Sequence, residues 1–260
     1  MKVKPLSKIR VMTYNVHSCR GLDRRVDPER ICRVIEKYSP DFLALQELDV
    51  NKKSSQHLDQ PTYISRYLRM HCHFQPAIVL EKEHYGIAIL SRYPFEVIKA
   101  DCLTRSARKG SLCSRLPLIK CFYEPRGAIG VRIPLEEREI IFFNTHLGLD
   151  ADERYLQTKD LLSADWLGGY KKDIPIIFCG DLNSGPKSRS YKIISQEYKE
   201  VKVGFKKEQK RKTFYSYFPL FELDHIFYTG KISLASAQIP SIPLTRMASD
   251  HLPLIADFNL

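Results

Sequence analysis

Short apolar runs of strand length recur along this chain, and they repeatedly end in Asn, Asp, Glu or His. Residues 9–16, 42–45, 139–146, 174–179, 223–228 and 252–258 read as strands, with further strand-like runs at 73–80, 86–91, 95–102, 118–123 and 128–134. Helical signals are fewer. Asp27-Pro28 supplies a cap followed by proline at the first helical position; Ile31, Val34, Ile35 and Tyr38 make one apolar stripe, and Ser39-Pro40 stops it. Residues 63–70 and 151–167 read as two more helices, the second closed by Gly168-Gly169. Many strands, few helices and no dividing linker predict an α/β architecture of two packed sheets with helices outside, as one domain over residues 1–260.

Composition narrows the class. Of the 260 residues 43% are hydrophobic and 27% charged, the balance of a globular protein rather than a disordered one. No apolar run approaches the roughly 20 residues needed to cross a bilayer. The basic residues 1–8 lead into the first strand without a signal-peptide apolar region, so a cytoplasmic protein is expected. Seven scattered cysteines without CxxC spacing fit reduced thiols. In a strand, His71 and His73 share a face that Cys72 does not, so these three make no metal cluster. A net charge of +11 favours polyanionic partners. It concentrates at residues 105–115 and 199–212, and 206–212 reads as a solvated loop. No apolar insertion of membrane-binding size stands out, nor any stripe interleaving aromatic with basic residues.

The strand ends carry the chemistry. They read Thr13-Tyr14-Asn15-Val16-His17, Leu45-Gln46-Glu47, Asn144-Thr145-His146-Leu147, Gly180-Asp181-Leu182-Asn183, Leu223-Asp224-His225 and Ser249-Asp250-His251. One such ending is a turn signal; six predict that the strands deliver polar side chains into one cleft. Glu47, Asp250 and the amide oxygen of Asn15 are hard donors suited to Mg²⁺, with an acidic neighbour to take a proton from water and imidazoles to meet charge on phosphate. A thiolate zinc site, a phosphate-cradling glycine loop and a G-x-S-x-G elbow are all missing from the sequence. Metal-assisted hydrolysis of a phosphate ester is the chemistry that fits.

These motifs, together with Gly86-Ile87-Ala88-Ile89-Leu90-Ser91-Arg92 and Asp250-His251-Leu252-Pro253-Leu254, occur in the order of the endonuclease/exonuclease/phosphatase (DNase I-like) superfamily, and the chain resembles its compact bacterial branch over residues 9–258. The resemblance implies a four-layer α/β sandwich, two central mixed β-sheets flanked by helices. It implies a Mg²⁺-dependent hydrolase, with Mn²⁺ as a substitute, that cleaves a phosphodiester in nucleic acid or in a small or lipid phosphoester. A phosphomonoesterase acting on an inositol phosphate or lipid headgroup and a silent polyanion-binding member are the alternatives, and a monomer is expected. By the same resemblance Glu47 is the principal metal ligand with Asn15 and Asp250 beside it. Asp181 and Asn183 orient the attacking water, His146 and His251 contact the scissile phosphate, and Asp224 orients His251. Arg126 takes the place of an arginine set against substrate phosphate. His17 stands where apurinic endonucleases carry an aspartate. His225 is expected to be a packed or surface residue, Arg154 and Gln157 to brace loops, and Trp166 to enter a core.

Overall fold

A computed structural model describes residues 7–104, 124–136, 138–170, 173–205 and 210–260. The strand expected at 118–123, the basic stretch 105–115 and Lys206 and Lys207 lie outside the described residues. The strands are β1 Lys8–Asn15, β2 Phe42–Val50, β3 His71–Leu80, β4 Glu83–Ser91, β5 Glu96–Cys102, β6 Gly127–Leu135, β7 Arg138–His146, β8 Ile176–Asp181, β9 Lys199–Glu200, β10 Asp224–Thr229, β11 Ser233–Gln238 and β12 Leu254–Asn259. The helices are α1 Pro28–Tyr38, α2 Gln60–Leu68, α3 Ala151–Leu161, α4 Arg189–Ile194 and α5 Pro243–Ala248.

Two six-stranded mixed sheets result. The first has the order β11-β12-β1-β2-β4-β3, the second β5-β6-β7-β8-β10-β9. In each sheet one central pair is parallel, β1 with β2 and β7 with β8, and the remaining pairs are antiparallel. The first sheet joins distant parts of the chain: β12 lies beside β1 with Lys8 opposite Asn259 and Thr13 opposite Leu254.

Three apolar layers hold the sandwich. Ile9, Val11, Phe42, Ile89, Ile129, Phe142, Ile177, Ile226 and Leu254 fill the space between the sheets. Met12, Tyr14, Leu43 and Leu45 pack outward against Ile31, Val34, Ile35 of α1 and Ile64 of α2. Phe143, Phe178 and Phe227 pack outward against Leu161, Trp166 and Ile194. Burying one such side chain contributes about 1.5–3 kcal/mol, so the two outer layers offset the ordering of the helices they hold. The result is the four-layer α/β sandwich, with helices outside both sheets.

Local signals explain most element ends. The Asp27 carboxylate accepts from Arg30 N, Pro28 opens α1, and Ser39 closes it in the left-handed region. α2 starts three residues before the expected position because Asp59 caps it, accepting from Thr62 N, with Pro61 in the first turn. The helix expected through residue 167 ends at Leu161. Trp166 leaves helical geometry, with φ −127° and ψ −123°, and it and Leu167 enter the outer core from the segment after the helix.

Gly180 is where two strands come closest at the site end. A β-carbon there would stand 2.1 Å from Thr145 O on the neighbouring parallel strand. Gly180→Ala should therefore destabilise the fold by about 2–3 kcal/mol. Chemical denaturation checks this, and an unchanged midpoint would show that β7 and β8 part freely.

Candidate active site

Side-chain alternation places the site. On β1 the face toward the inter-sheet core carries Ile9 and Val11, and the same face continues to Thr13 and Asn15. β2 runs Phe42, Ala44, Gln46; β7 runs Ile140, Phe142, Asn144, His146; β8 runs Ile177, Cys179, Asp181. On each strand the inward face is apolar for most of its length and turns polar at one end. Register then sets the second sheet's polar ends side by side, with His146 opposite Asp181 and Asp181 opposite Asp224.

Not every polar end reaches the cleft. Gln46 and Asn144 are fully buried and tie the sheets together: Gln46 Nε2 donates to Asn144 Oδ1 at 2.7 Å, and Asn144 Nδ2 donates to Leu45 O and Ala88 O. Glu47 escapes this fate through a bulge. The β2–β4 register slips between Leu45 and Leu48, and Glu47 takes a φ of 60°. Such a bulge re-aims one side chain; here it turns the carboxylate into the cleft. Asn183 also has positive φ, 48°, and its N–H donates to Asp181 Oδ1 at 2.8 Å. Non-glycine residues in that region are sparsely populated and gather at functional sites.

Asp181 is the hub. Its Oδ2 accepts from Asn15 Nδ2 at 3.0 Å and lies 3.6 Å from His146 Nε2 and 3.7 Å from His251 Nε2. Asn15 Nδ2 also donates to Glu47 Oε1 at 2.8 Å, while its Oδ1 accepts from His17 N at 3.0 Å. The backbone donor fixes the amide orientation, so Asn15 presents nitrogen to the two carboxylates, whereas its oxygen had been expected to face a metal. His251 Nδ1 donates to Asp224 Oδ2 at 2.8 Å, which aims Nε2 at Asp181. His146 Nδ1 lies 3.1 Å from Arg126 NH1, and its Nε2 lies 3.6 Å from Asp181 Oδ2 and 4.0 Å from Glu47 Oε1. The Asn183 carboxamide nitrogen sits 3.0 Å from His146 Nε2 and donates to Leu147 O.

The electrostatics of the two histidines diverge. Burial and then the Arg126 guanidinium push His146 well below its ordinary value, which keeps it neutral. Burial also opposes charge on His251, but Asp224 and Asp181 outweigh it and lift the ring to about 10. Asp224 stays below the ordinary carboxylate range, since the His251 imidazolium outweighs its burial. Burial first, and Asp224 second, raise Asp181 to about 7.

The remaining expected residues line the same cleft or brace it. The cleft holds about 530 Å³ and is lined by His17, Glu47, Arg126, His146, Asp181, Asn183, Asp250 and His251 among others. Asp250 stands 3.7 Å from His17 Nδ1, outside the two sets of converging ligand atoms, which are Glu47 with His146 and Asp181, and Asp181 with Asp224 and His251. Arg126 is 4% exposed and spends its donors on His146 and on Glu124 at 3.3 Å. His225 is packed away from the cleft, bonded to Ser184 O and Glu200. Arg154 and Gln157 brace the loop after β7, bonding Gly148 O and Gly148 N. Tyr85, Lys52, Leu149, Phe214 and Phe221 also line the cleft. They were missed, since a lone aromatic or lysine on a strand or loop has no pattern; the run Thr213-Phe214-Tyr215 after Lys210-Arg211-Lys212 was the available signal.

The donor set fits a divalent cation. Glu47 and Asp181 share the two hydrogens of one amide with Asp224 and Asp250 nearby, an excess of carboxylate that a hard cation would neutralise. Glu47, partly exposed at the cleft, is the natural ligand.

The order of strands and the strand-end polar set define the fold of a phosphoesterase class. The family model for the endonuclease/exonuclease/phosphatase family matches residues 12–251, and the chain belongs to that family. It is 26% identical to the uncharacterized protein YbhP of Escherichia coli K12, over 96% of each chain. Among solved structures it resembles an endonuclease/exonuclease/phosphatase from Beutenbergia cavernae (19% identity, TM-score 0.75, covering 98% of this chain and 72% of that one). It also resembles the catalytic domain of human nocturnin with bound sulfate (23% identity, TM-score 0.72, covering 98% and 94%). At these identities the two structures speak for the fold. Members of the superfamily are hydrolases of phosphoester bonds and generally use divalent metals.

Proposed function

We propose that this chain is a Mg²⁺-dependent phosphodiesterase, with Mn²⁺ able to substitute, that hydrolyses its substrate by in-line attack of water. The observation that carries the reading is the placement of Asp181 Oδ2 within 3.0–3.7 Å of Asn15, His146 and His251, side chains brought from both sheets to one point.

The roles follow from which atoms face the cleft. Glu47 would hold the cation, with Asp250 adding negative charge to the same cleft and Asn15 spacing Glu47 from Asp181. When bound, the cation supplies charge neutralisation and polarises a phosphoryl oxygen. Asp181 takes the proton of the water it orients, with Asn183 fixing its carboxylate through the backbone N–H. His251, cationic and steered by Asp224, donates to the phosphoryl oxygens as charge builds on them, with neutral His146 beside it at the same oxygen of Asp181. Arg126 lines the cleft beside His146, where its charge helps to keep that ring neutral and is placed to attract a substrate phosphate.

Release of p-nitrophenol from bis-p-nitrophenyl phosphate tests the reading. Wild type should turn over with Mg²⁺ or Mn²⁺ and stop with EDTA. Glu47→Gln should lower turnover at subsaturating Mg²⁺ by about 10²-fold and need more metal to recover. Turnover that ignores both EDTA and Glu47→Gln would remove the metal from the mechanism.

A further inference from the structure

Large apolar side chains are exposed on both lips of the cleft. Phe214 lies against His251, with ring centroids 4.9 Å apart, and the chain then loops out and returns at Phe221, whose backbone pairs with Phe214. Ser216 pins this loop: its N–H donates to Asp250 O at 2.7 Å and its hydroxyl bonds Arg246 O and Ser249 O. The tip beyond the pin is Tyr217-Phe218-Pro219-Leu220-Phe221, and Tyr217 and Phe218 are 68% and 71% exposed. Nothing in the described fold packs over it. On the other lip Ile78 lines the cleft, and the last two residues of β3, Val79 and Leu80 at the β3–β4 turn, are 58% and 64% exposed. From β12 to β3 the first sheet is four strand spacings wide, roughly 19 Å. Two separate apolar tips therefore flank the cleft.

Clustered exposure of this kind marks an interaction surface, unlike single exposed residues such as Val203. Its shape and charge choose the partner. The tips are narrow and lie apart on two loops, unlike the continuous patch of a stable protein interface. Leu220, Val79 and Leu80 cannot stack on bases, and the cations Lys210 and Lys212 precede the aromatic tip rather than alternate with it, unlike a single-strand platform. Tyr and Phe on an uncharged tip, with lysines alongside and a net charge of +11, match the boundary of an anionic bilayer. Glu81-Lys82-Glu83 carries a net charge of −1, so the electrostatic attraction comes from the Lys210 side.

We propose that the 214–221 loop and the β3–β4 turn seat the cleft mouth on an anionic lipid surface, which would present phosphoesters held at the bilayer to the site. The docking surface stands on its own; only the delivery of substrate rests on the phosphodiesterase reading.

Sedimentation with large unilamellar vesicles tests it. Wild type should bind phosphatidylcholine vesicles containing phosphatidylglycerol and release in high salt, with much weaker binding to phosphatidylcholine alone. Tyr217→Ser/Phe218→Ser should lower the partition coefficient at least about tenfold. Leu80→Ser should lower it less, and Phe218→Trp should shift its emission to the blue on vesicle addition. Asp181→Asn should bind vesicles as wild type does. Wild type left in the supernatant, a double variant that sediments like wild type, or unshifted Phe218→Trp emission would overturn the proposal. So would a double variant that loses oligothymidylate rather than vesicles, which would point to nucleic acid. Vesicle binding without turnover of the soluble ester would sink the catalytic reading and leave docking intact; turnover without vesicle binding would do the reverse.

Discussion

Asp181→Asn should lower kcat on a soluble phosphodiester by about 10³-fold while leaving the fold intact. The substitution is isosteric, and its carbonyl oxygen can still accept from Asn183 N, the contact that shapes the turn after β8. What it removes is the group able to accept a proton and the charge facing His251 Nε2 at 3.7 Å and His146 Nε2 at 3.6 Å. The new amide nitrogen cannot accept from Asn15 Nδ2, but Asn183 and the histidines keep their other anchors, so KM should move by no more than a few-fold. Steady-state kinetics beside a thermal melt separate the two effects. A kcat within tenfold of wild type, at unchanged melting temperature, would show that Asp181 is a structural carboxylate.

The second large effect concerns stability. Lys202 is 2% exposed; its ammonium donates to Asp224 O at 2.9 Å and lies 3.6 Å from Glu200 Oε1 and 3.7 Å from Glu222 Oε2. Glu200 in turn faces His225 at 3.4 Å. Lys202→Met would leave the buried Glu200 short of its cation and Asp224 O without its donor, at a loss of about 3–5 kcal/mol in urea unfolding. Glu200→Gln added to it should recover part of that loss, a coupling that a double-mutant cycle reads directly. Glu200 also gives the pH dependence its sign. Burial raises its pKa, but the His225 hydrogen bond and Lys202 outweigh that and hold it below its ordinary 4.5. A depressed carboxylate contributes stability that is fully present above its unfolded value and lost as pH falls through the folded one. Wild type should therefore weaken below about pH 4.5, and Glu200→Gln should flatten that part of the curve. Additive single and double variants would show that the two side chains do not communicate.

The polar end of the sheets was legible in the sequence because a strand has no packing reason to end its inward face in Asn15, His146 or Asp181. Parity of the side chains was the part left unread, and it separates Gln46 and Asn144, which stitch the sheets, from Glu47, which a bulge turns outward. Lys202 was hidden inside a basic run, where a lysine ordinarily means solvent; only the fold shows that it lies behind β10. β9 has two residues and β11 is an exposed edge strand, Ser-Leu-Ala-Ser-Ala-Gln, so neither carries the apolar periodicity that marks the inner strands. α4 and α5, six residues each, are too short to show a stripe. The aromatic loop at 214–221 is held by backbone bonds rather than by pattern, and so was also passed over.

The pairing of β1 with β12 has a consequence for biosynthesis. Ser249 Oγ donates to Asn15 O across a separation of 234 residues, and His251 lies just beyond it. A nascent polypeptide carries Asn15 and Glu47 into the cell long before the histidine that must stand opposite them has been translated. Contacts this remote in sequence close late, because so much chain entropy must be surrendered first. Until the last strand docks, the emerging chain holds half a pocket and an open sheet edge beside β1, the kind of surface that chaperones shield.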